Sequence, residues 1–535
     1  MSSAANMLGM GYAAAGYEDD EDLPRGGVRY VRICNLYGDG FYYLPGTNIC
    51  VKIGGYVRGE YGYLGGANMT NEAWNSGTLN AVTTAISNSG PNGYNSRFDG
   101  NDFVMRSRAY ISMDTREQTE YGVLRTYLNI GLNYDSPAGG APAIFSGNRA
   151  FVQFAGFTFG LAQSFFDFYS IPASSYWGTI ASDTGDGGWK VAAYTANFGN
   201  GITSTLSLEE PRRIGIINTN SGATNPFTAF GAAVGQNGIT GTAGADSAKI
   251  RFPDMVYNWR IDQVWGSAQV MFAAHDASAA YYYSTVANGG VNCPVAPFGV
   301  AGSIDGAEVC GHPADKLGWA AGAGFRINVP NTNGSYFQMQ YTHTLGASRY
   351  MFQTQSGHYT QFNGGTVGFG WLSDGIVNNM TGGVDLTRVD GINAAFDYHW
   401  TPKFWTSLYG TWANVKYDDV ANASICSVQN LAPGTAGGIT APVGIAALGG
   451  AAAVLPVCSN NWSIWQLGSR WQYNLTPAMY VGVDVLYQKL KTADNGGVAN
   501  YVTGAASVSA PGGPYQIVNQ DNWGFRLRVH RDILP

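Results

Sequence analysis

In the run NDFVMRSRAYISMDT, apolar and polar residues take turns. Phe103, Met105, Ala109, Ile111 and Met113 fall on one face, while Arg106, Arg108 and Tyr110 fall on the other. A helix cannot separate such a pattern, because only an extended chain sends successive side chains to opposite sides. The same alternation returns along the chain. Leu124, Leu128, Ile130 and Leu132 oppose Arg125, Tyr127 and Asn129, and Leu206 and Leu208 oppose Thr205 and Ser207. Further on, Met255, Tyr257, Trp259 and Ile261 oppose Asn258, Arg260 and Asp262, and Phe337, Met339 and Tyr341 interleave with Gln338, Gln340 and Thr342.

Each run has a greasy face and a polar face that carries arginines and amides. A soluble sheet buries the first and wets the second. Here charged residues make up only 12% of 535, about half the usual share, while hydrophobic residues stay at an ordinary 45%. A chain short of charge without being greasy suits strands whose outer face meets lipid and whose inner face lines water. Runs of 18 or more apolar residues are missing, so membrane crossing by helices is not expected. The net charge of −7 and the lack of basic clusters argue against nucleic acid as a partner.

Connections alternate in length. Tight ones sit at Gly199-Asn200-Gly201, Thr401-Pro402 and Thr476-Pro477, whereas stretches such as 64–100 and 211–249 are long and rich in small polar residues. Counting strands this way predicts an all-β, antiparallel transmembrane barrel of about sixteen strands, a size that holds an aqueous channel. Short turns are expected on the periplasmic side and long loops outside. The final run predicts Trp523, Phe525, Leu527 and Val529 facing lipid and Arg526, Arg528 and His530 facing the lumen. It must pair with the first strand, since a barrel has no free edge. The acidic run Glu18 to Asp22, followed by Pro24, reads as part of a mobile tail over 1–33, ahead of a single barrel domain over 34–535.

The stretch 149–190 differs from the other connections. From Asp167 on, a Pro-, Ser- and Gly-rich segment keeps Phe168, Tyr169, Tyr176 and Trp177 and holds Asp167, Asp183 and Asp186 without a basic residue. We read 166–188 as a constriction loop folded back into the lumen, with those three carboxylates as the acidic side of a neck. Arg58, Arg106, Arg108 and Arg125 on early strands form its basic side. Opposed rows of charge set up a transverse field, which favours dipolar solutes over apolar ones.

Six cysteines form three neighbouring couples, Cys34 with Cys50, Cys293 with Cys310 and Cys426 with Cys458. Local spacing in glycine-rich segments fits disulfides in an oxidising compartment. Zinc would need a C-x-x-C or a histidine pair, and neither occurs, so no metal or other cofactor is expected. The six histidines, at 275, 312, 343, 358, 399 and 530, are scattered, and no G-x-S-x-G, H-E-x-x-H or phosphate-binding loop appears, so an enzyme is not expected. A substrate-selective channel for sugars or small anions is the nearer alternative, with Tyr281-Tyr282-Tyr283, Trp371 and Trp462 as a stacking track. A soluble adhesin is disfavoured by the lipid-like faces.

The segments CNLYGDGFYYLPGTNICVKIGGYVRGEYGY (Cys34 to Tyr63), TEYGVLRTYLNIG and FVQFAGFTFGLAQSFFDF (Phe151 to Phe168) resemble the alphaproteobacterial outer-membrane porins, as does the final strand. That resemblance implies a sixteen-stranded general-diffusion porin, a homotrimer in outer-membrane lipid and lipopolysaccharide with periplasmic termini. It also implies that the third external loop folds inward. The chain departs from the family by ending Ile533-Leu534-Pro535 where those porins commonly end in an aromatic residue.

Overall fold

The computed structural model describes residues 32–64, 103–135, 144–185, 187–218, 248, 250–280, 312–353, 358–363, 366–377, 382–429, 439–440, 459–499 and 515–534. Its main sheet has seventeen members. One, the two-residue strand Tyr42–Tyr43, only lies beside the start of the first long strand, and the other sixteen close into an antiparallel barrel.

In chain order the first eight are β1 (Cys50–Leu64), β2 (Phe103–Thr119), β3 (Gly122–Asp135), β4 (Ile144–Phe154), β5 (Phe157–Ala162), β6 (Trp189–Gly199), β7 (Ile202–Glu209) and β8 (Asp254–Gln263). The second eight are β9 (Gly266–Asp276), β10 (Leu317–Asn328), β11 (Tyr336–Leu345), β12 (Arg388–His399), β13 (Phe404–Lys416), β14 (Trp462–Thr476), β15 (Met479–Lys491) and β16 (Gln520–Leu534). Each pairs with the next, and β16 pairs back onto β1, with Glu60 opposite Arg528 and Tyr61 opposite Leu527. Closure on the first strand satisfies both edges, as the sequence predicts.

The alternation becomes the two sides of the wall. On β11, Gln340 is 0% exposed while its neighbour Tyr341 is 39% exposed. Ile111, Phe145, Phe159, Leu206, Phe272, Leu408, Trp471 and Phe525 are all exposed on the outside. So broad an apolar belt is not left to water, and it matches the lipid-facing band of a membrane barrel. Among the described residues no helix is long and apolar enough to cross a membrane, so the crossing elements are the strands.

Seven short connections, six of them tight turns, join the strands at one end. Between β6 and β7, Asn200 (φ 49°) and Gly201 (φ 74°) both take the left-handed conformation a two-residue hairpin needs. Long connections gather at the other end and form a lobe with structure of its own. His358–Asn363 and Thr366–Trp371 make a hairpin that Tyr515–Ile517 extends in parallel, and Ile216–Asn218 pairs with Gly375–Val377. The lobe has a buried apolar core that includes Phe352, Tyr359, Phe369, Trp371, Leu372 and Ile376. Lumen-facing Val389, Val415, Trp462, Ile464 and Leu490, at the loop ends of β12–β15, belong to the same core. There the inner face of the wall changes from polar to apolar because it meets folded protein rather than water.

Cys34 and Cys50 are joined by a disulfide across 16 residues and pack with Phe41. Cys426 is also disulfide-bonded. Cys293, Cys310 and Cys458 lie outside the described residues.

Candidate functional site

The connection between β5 and β6, the third of the long ones, turns into the barrel. Irregular backbone at membrane depth survives only if its polar groups find partners, and this loop finds them on the inner wall. Gln340 Oε1 on β11 accepts from the Phe168 and Tyr169 N–H groups at 3.0 and 2.8 Å, and Gln338 donates to the Ser170 carbonyl at 3.0 Å. Asp484 on β15 accepts from the Tyr176 N–H at 2.6 Å, and Gln466 on β14 accepts from that of Ile180 at 2.8 Å. Arg470 donates to the Ala173 carbonyl at 2.8 Å, and Arg526 and Arg528 both donate to that of Tyr176. On β8 and β9, Asn258 and Gln269 hold the Phe165 carbonyl at 2.6 and 3.2 Å. These lumen-facing polar residues on β8–β16 thus act as a rack for the loop.

Two wall glycines leave room for it. A Cβ on Gly324 would come 2.4 Å from the Phe168 ring, and one on Gly482 would come 2.2 Å from the Tyr176 hydroxyl. The arginines of the rack also cap its aromatics. The Arg528 guanidinium carbon lies 4.0 Å from the Tyr176 ring centroid, and that of Arg526 lies 4.1 Å from Trp177.

The base of the loop is a dry ionic junction. Asp167 accepts from Ser182 Oγ at 2.9 Å, from the Thr184 N–H at 2.6 Å and from Thr184 Oγ1 at 2.5 Å, so one carboxylate ties the two arms of the loop together. Arg212, just after β7, meets the same carboxylate at 2.9 Å, and both side chains are 0% exposed. Burial lowers the Arg212 pKa, but Asp167, Tyr350 and Glu209 more than offset it and hold it above the ordinary value. Glu209 accepts from the Ser164 hydroxyl at 2.5 Å and the Phe165 N–H at 3.0 Å.

The predicted acidic row is therefore split. Asp167 presents no carboxylate to water, since the cation it needs arrives from the following loop. Asp183 sits partly exposed, accepting from the Ile171 and Gly185 N–H groups at 2.8 and 2.7 Å, which shapes the loop. Asp186 lies outside the described residues.

The predicted basic row is split too. Arg58 pairs in register with Arg108, and Glu60 with Arg106 on one side and Arg528 on the other, so three of the four arginines share a patch of β1 and β2. Glu60 accepts from Arg528 at 2.7 and 2.5 Å, and Arg58 lies 3.9 Å from it. Arg125 is not among them. It sits eight residues along β3 from Asn133, the partner of Arg108, which is roughly 27 Å toward the tight-turn end. There it forms a two-bond pair with Asp114 at 2.9 and 2.8 Å and reaches Gln153 at 3.1 Å. Alternation reports which face a residue takes but not its height in the barrel. Arg212, Glu209, Glu60, Asp484 and Gln340 carry the loop's geometry, and nothing in their local sequence marks them for it.

In a ring of sixteen, β1–β3 stand across from β9–β11. The arrangement is a lumen crossed by a loop fixed to β8–β16, with the arginine patch of β1 and β2 meeting that rack at Glu60, the carboxylate Arg528 holds. A family model described as the porin subfamily matches residues 25–523. Porin Omp2b of Brucella melitensis is 27% identical over 195 residues, covering 34% of this chain, and porin Omp2a of the same organism is 28% identical over 205. The chain spans about half the length of these curated relatives, 45% of the first and 47% of the second. The outer membrane channel DcaP of Acinetobacter baumannii shares the fold at 12% identity, with a TM-score of 0.50 over 92% of this chain and 99% of that one. With a match running through nearly the whole barrel, the chain belongs to the porin subfamily.

Proposed function

We propose that this protein is an outer-membrane porin, a water-filled channel for passive diffusion of small hydrophilic solutes and ions. The observation that carries the reading is the inward loop, whose backbone is bonded across the lumen to lumen-facing side chains of β8–β16. A barrel of this strand number otherwise encloses an open aqueous space, and a loop fixed across it leaves a narrower passage. Function is then the free-energy profile of that neck: its width, its dipoles and the sign of its charges.

The basic side of the neck is Arg58, Arg106 and Arg108, with Arg125 contributing at the tight-turn end. The acidic side is Asp183 and Asp186 of the loop. More arginine than carboxylate at the neck gives a mild anion preference despite the negative total charge. By the likeness to its family the protein is a homotrimer embedded in outer-membrane lipid and lipopolysaccharide, with both termini periplasmic and the loop lobe outside.

The test is conductance of detergent-purified protein in a planar bilayer, with a salt gradient for the reversal potential. Ohmic openings in steps of three and a modest anion preference are expected. Folded, inserted protein that carries no current would sink the channel reading, and a strong cation preference would sink the charge assignment alone.

A further inference from the structure

Arg212 lies outside the inward loop, yet both side-chain hydrogen bonds it makes go to that loop. Nη2 donates to Asp167 Oδ1 and Nη1 to Ser182 Oγ, each at 2.9 Å. Its own backbone N–H donates to Asp254 Oδ2 on β8 at 3.0 Å, which fixes where the side chain starts. The guanidinium carbon lies 4.5 Å from the Tyr350 ring centroid, 5.6 Å from Trp189 and 6.0 Å from Phe166, so aromatic faces close around it. Tyr350 is itself held by Asp254 at 2.8 Å. One guanidinium therefore joins the third, fourth and sixth long connections.

We propose that Arg212 is the positioning residue of the neck: by holding Asp167 it fixes the base of the inward loop and so sets how far the loop reaches across the lumen. The inference rests on the channel reading above, but its geometry does not. Asp167 gathers Ser182 and Thr184 from the far arm, so both arms of the loop hang from the carboxylate that Arg212 holds. Removing the guanidinium leaves a carboxylate unpaired in a fully buried site, and carrying the loop base toward the aqueous lumen relieves it. The wall is not party to this bond. The β7–β8 ladder runs by backbone pairing from Glu209 opposite Asp254 to Ile202 opposite Ile261, so the barrel persists when the loop lets go.

The experiment compares the native chain with R212Q, D167N and the double variant D167N/R212Q. Bilayer conductance and liposome swelling with neutral sugars of increasing size are the readouts. R212Q is expected to give larger, noisier openings and to admit sugars that the native channel excludes. D167N/R212Q is expected to move back toward native behaviour, because no charge is stranded. Native conductance and exclusion size in folded R212Q would overturn the proposal, as would a double variant no better than the single one. If R212Q does not insert, D167N takes its place with the same readouts, since it removes the other half of the junction. A separate arm needs no current. Ser174, on the loop, is 0% exposed, so a cysteine placed there by S174C should resist a membrane-impermeant maleimide in the native background and react in R212Q. Lack of current from the native chain with labelling only in R212Q would defeat the channel reading and leave the positioning role standing. Equal labelling in both would defeat the positioning role.

Discussion

Arg212–Asp167 and Arg125–Asp114 are both arginine–aspartate pairs, closed at 2.9 and 2.8 Å. In the first, neither side chain is exposed at all, and in the second they are 15% and 11% exposed. The first joins two loops through a site walled by Tyr350, Trp189 and Phe166. The second lies on neighbouring strands near the tight turns, where Arg116 shares the carboxylate at 3.0 Å. Equal bond lengths thus conceal unequal dependence. In the buried junction each charge has the other as its ion-pair partner and no bulk solvent beside it, whereas the strand pair has a second cation and partial exposure.

Breaking the two pairs in the same way should separate them. Arg212→Gln should cost about 3–5 kcal/mol, the penalty for leaving one buried ion unpaired. It would show as a fall in the temperature at which the folded, detergent-resistant band is lost, and a loss equal to that of Arg125→Gln would erase the distinction. Next comes the apolar lobe that shelters the dry side. Trp462 donates to the Trp371 carbonyl at 2.6 Å and stacks near Tyr359 and Phe352. Trp462→Ala should remove about 3–5 kcal/mol from the lobe, exposing residues 346–387 to protease while leaving the barrel ladder protected from hydrogen exchange.

A third test uses pH. Burial pushes the Asp494 carboxyl up to about 6, against the bond donated by the Ser459 N–H at 2.7 Å. A carboxyl raised in the folded state holds its proton more tightly there than in the unfolded chain. Its contribution is fully present below the unfolded value near pH 4 and is lost as pH rises through about 6. Two units correspond to about 3 kcal/mol, so the lobe should become more open to protease between those limits, and Asp494→Asn should flatten the profile. Arg125→Gln gives the smallest effect, about 1 kcal/mol and weaker in high salt, because a partly wet pair is screened.

The walls of this protein can be read from its sequence because lipid and water impose opposite demands on successive residues. The strand number, the closure of β16 on β1, the inward turn after β5 and the Cys34–Cys50 bond all follow from local pattern or spacing. What could not be read depends on pairs far apart in the chain. Asp167 looks like a neck acid until Arg212, 45 residues on, is seen to neutralise it. Arg125 looks like a member of the Arg58 group until register places it near the turns. The lobe left a fainter mark. Val389, Val415, Ile464 and Leu490 occupy lumen parity with apolar side chains, a break in the alternation that signals protein inside the mouth instead of water.

The rack that holds the inward loop also sets an order of construction. The loop leaves β5, but its partners begin only with Glu209 at the end of β7, and the arginines on the Tyr176 carbonyl stand 350 and 352 residues further along. Contacts of such span cannot close before the intervening chain is placed. Until β16 arrives, the Tyr176 carbonyl has no wall arginine to meet and must keep its bond to water. A half-built barrel is therefore wide and wet, and the narrow passage comes into being only when the last strand zips onto the first.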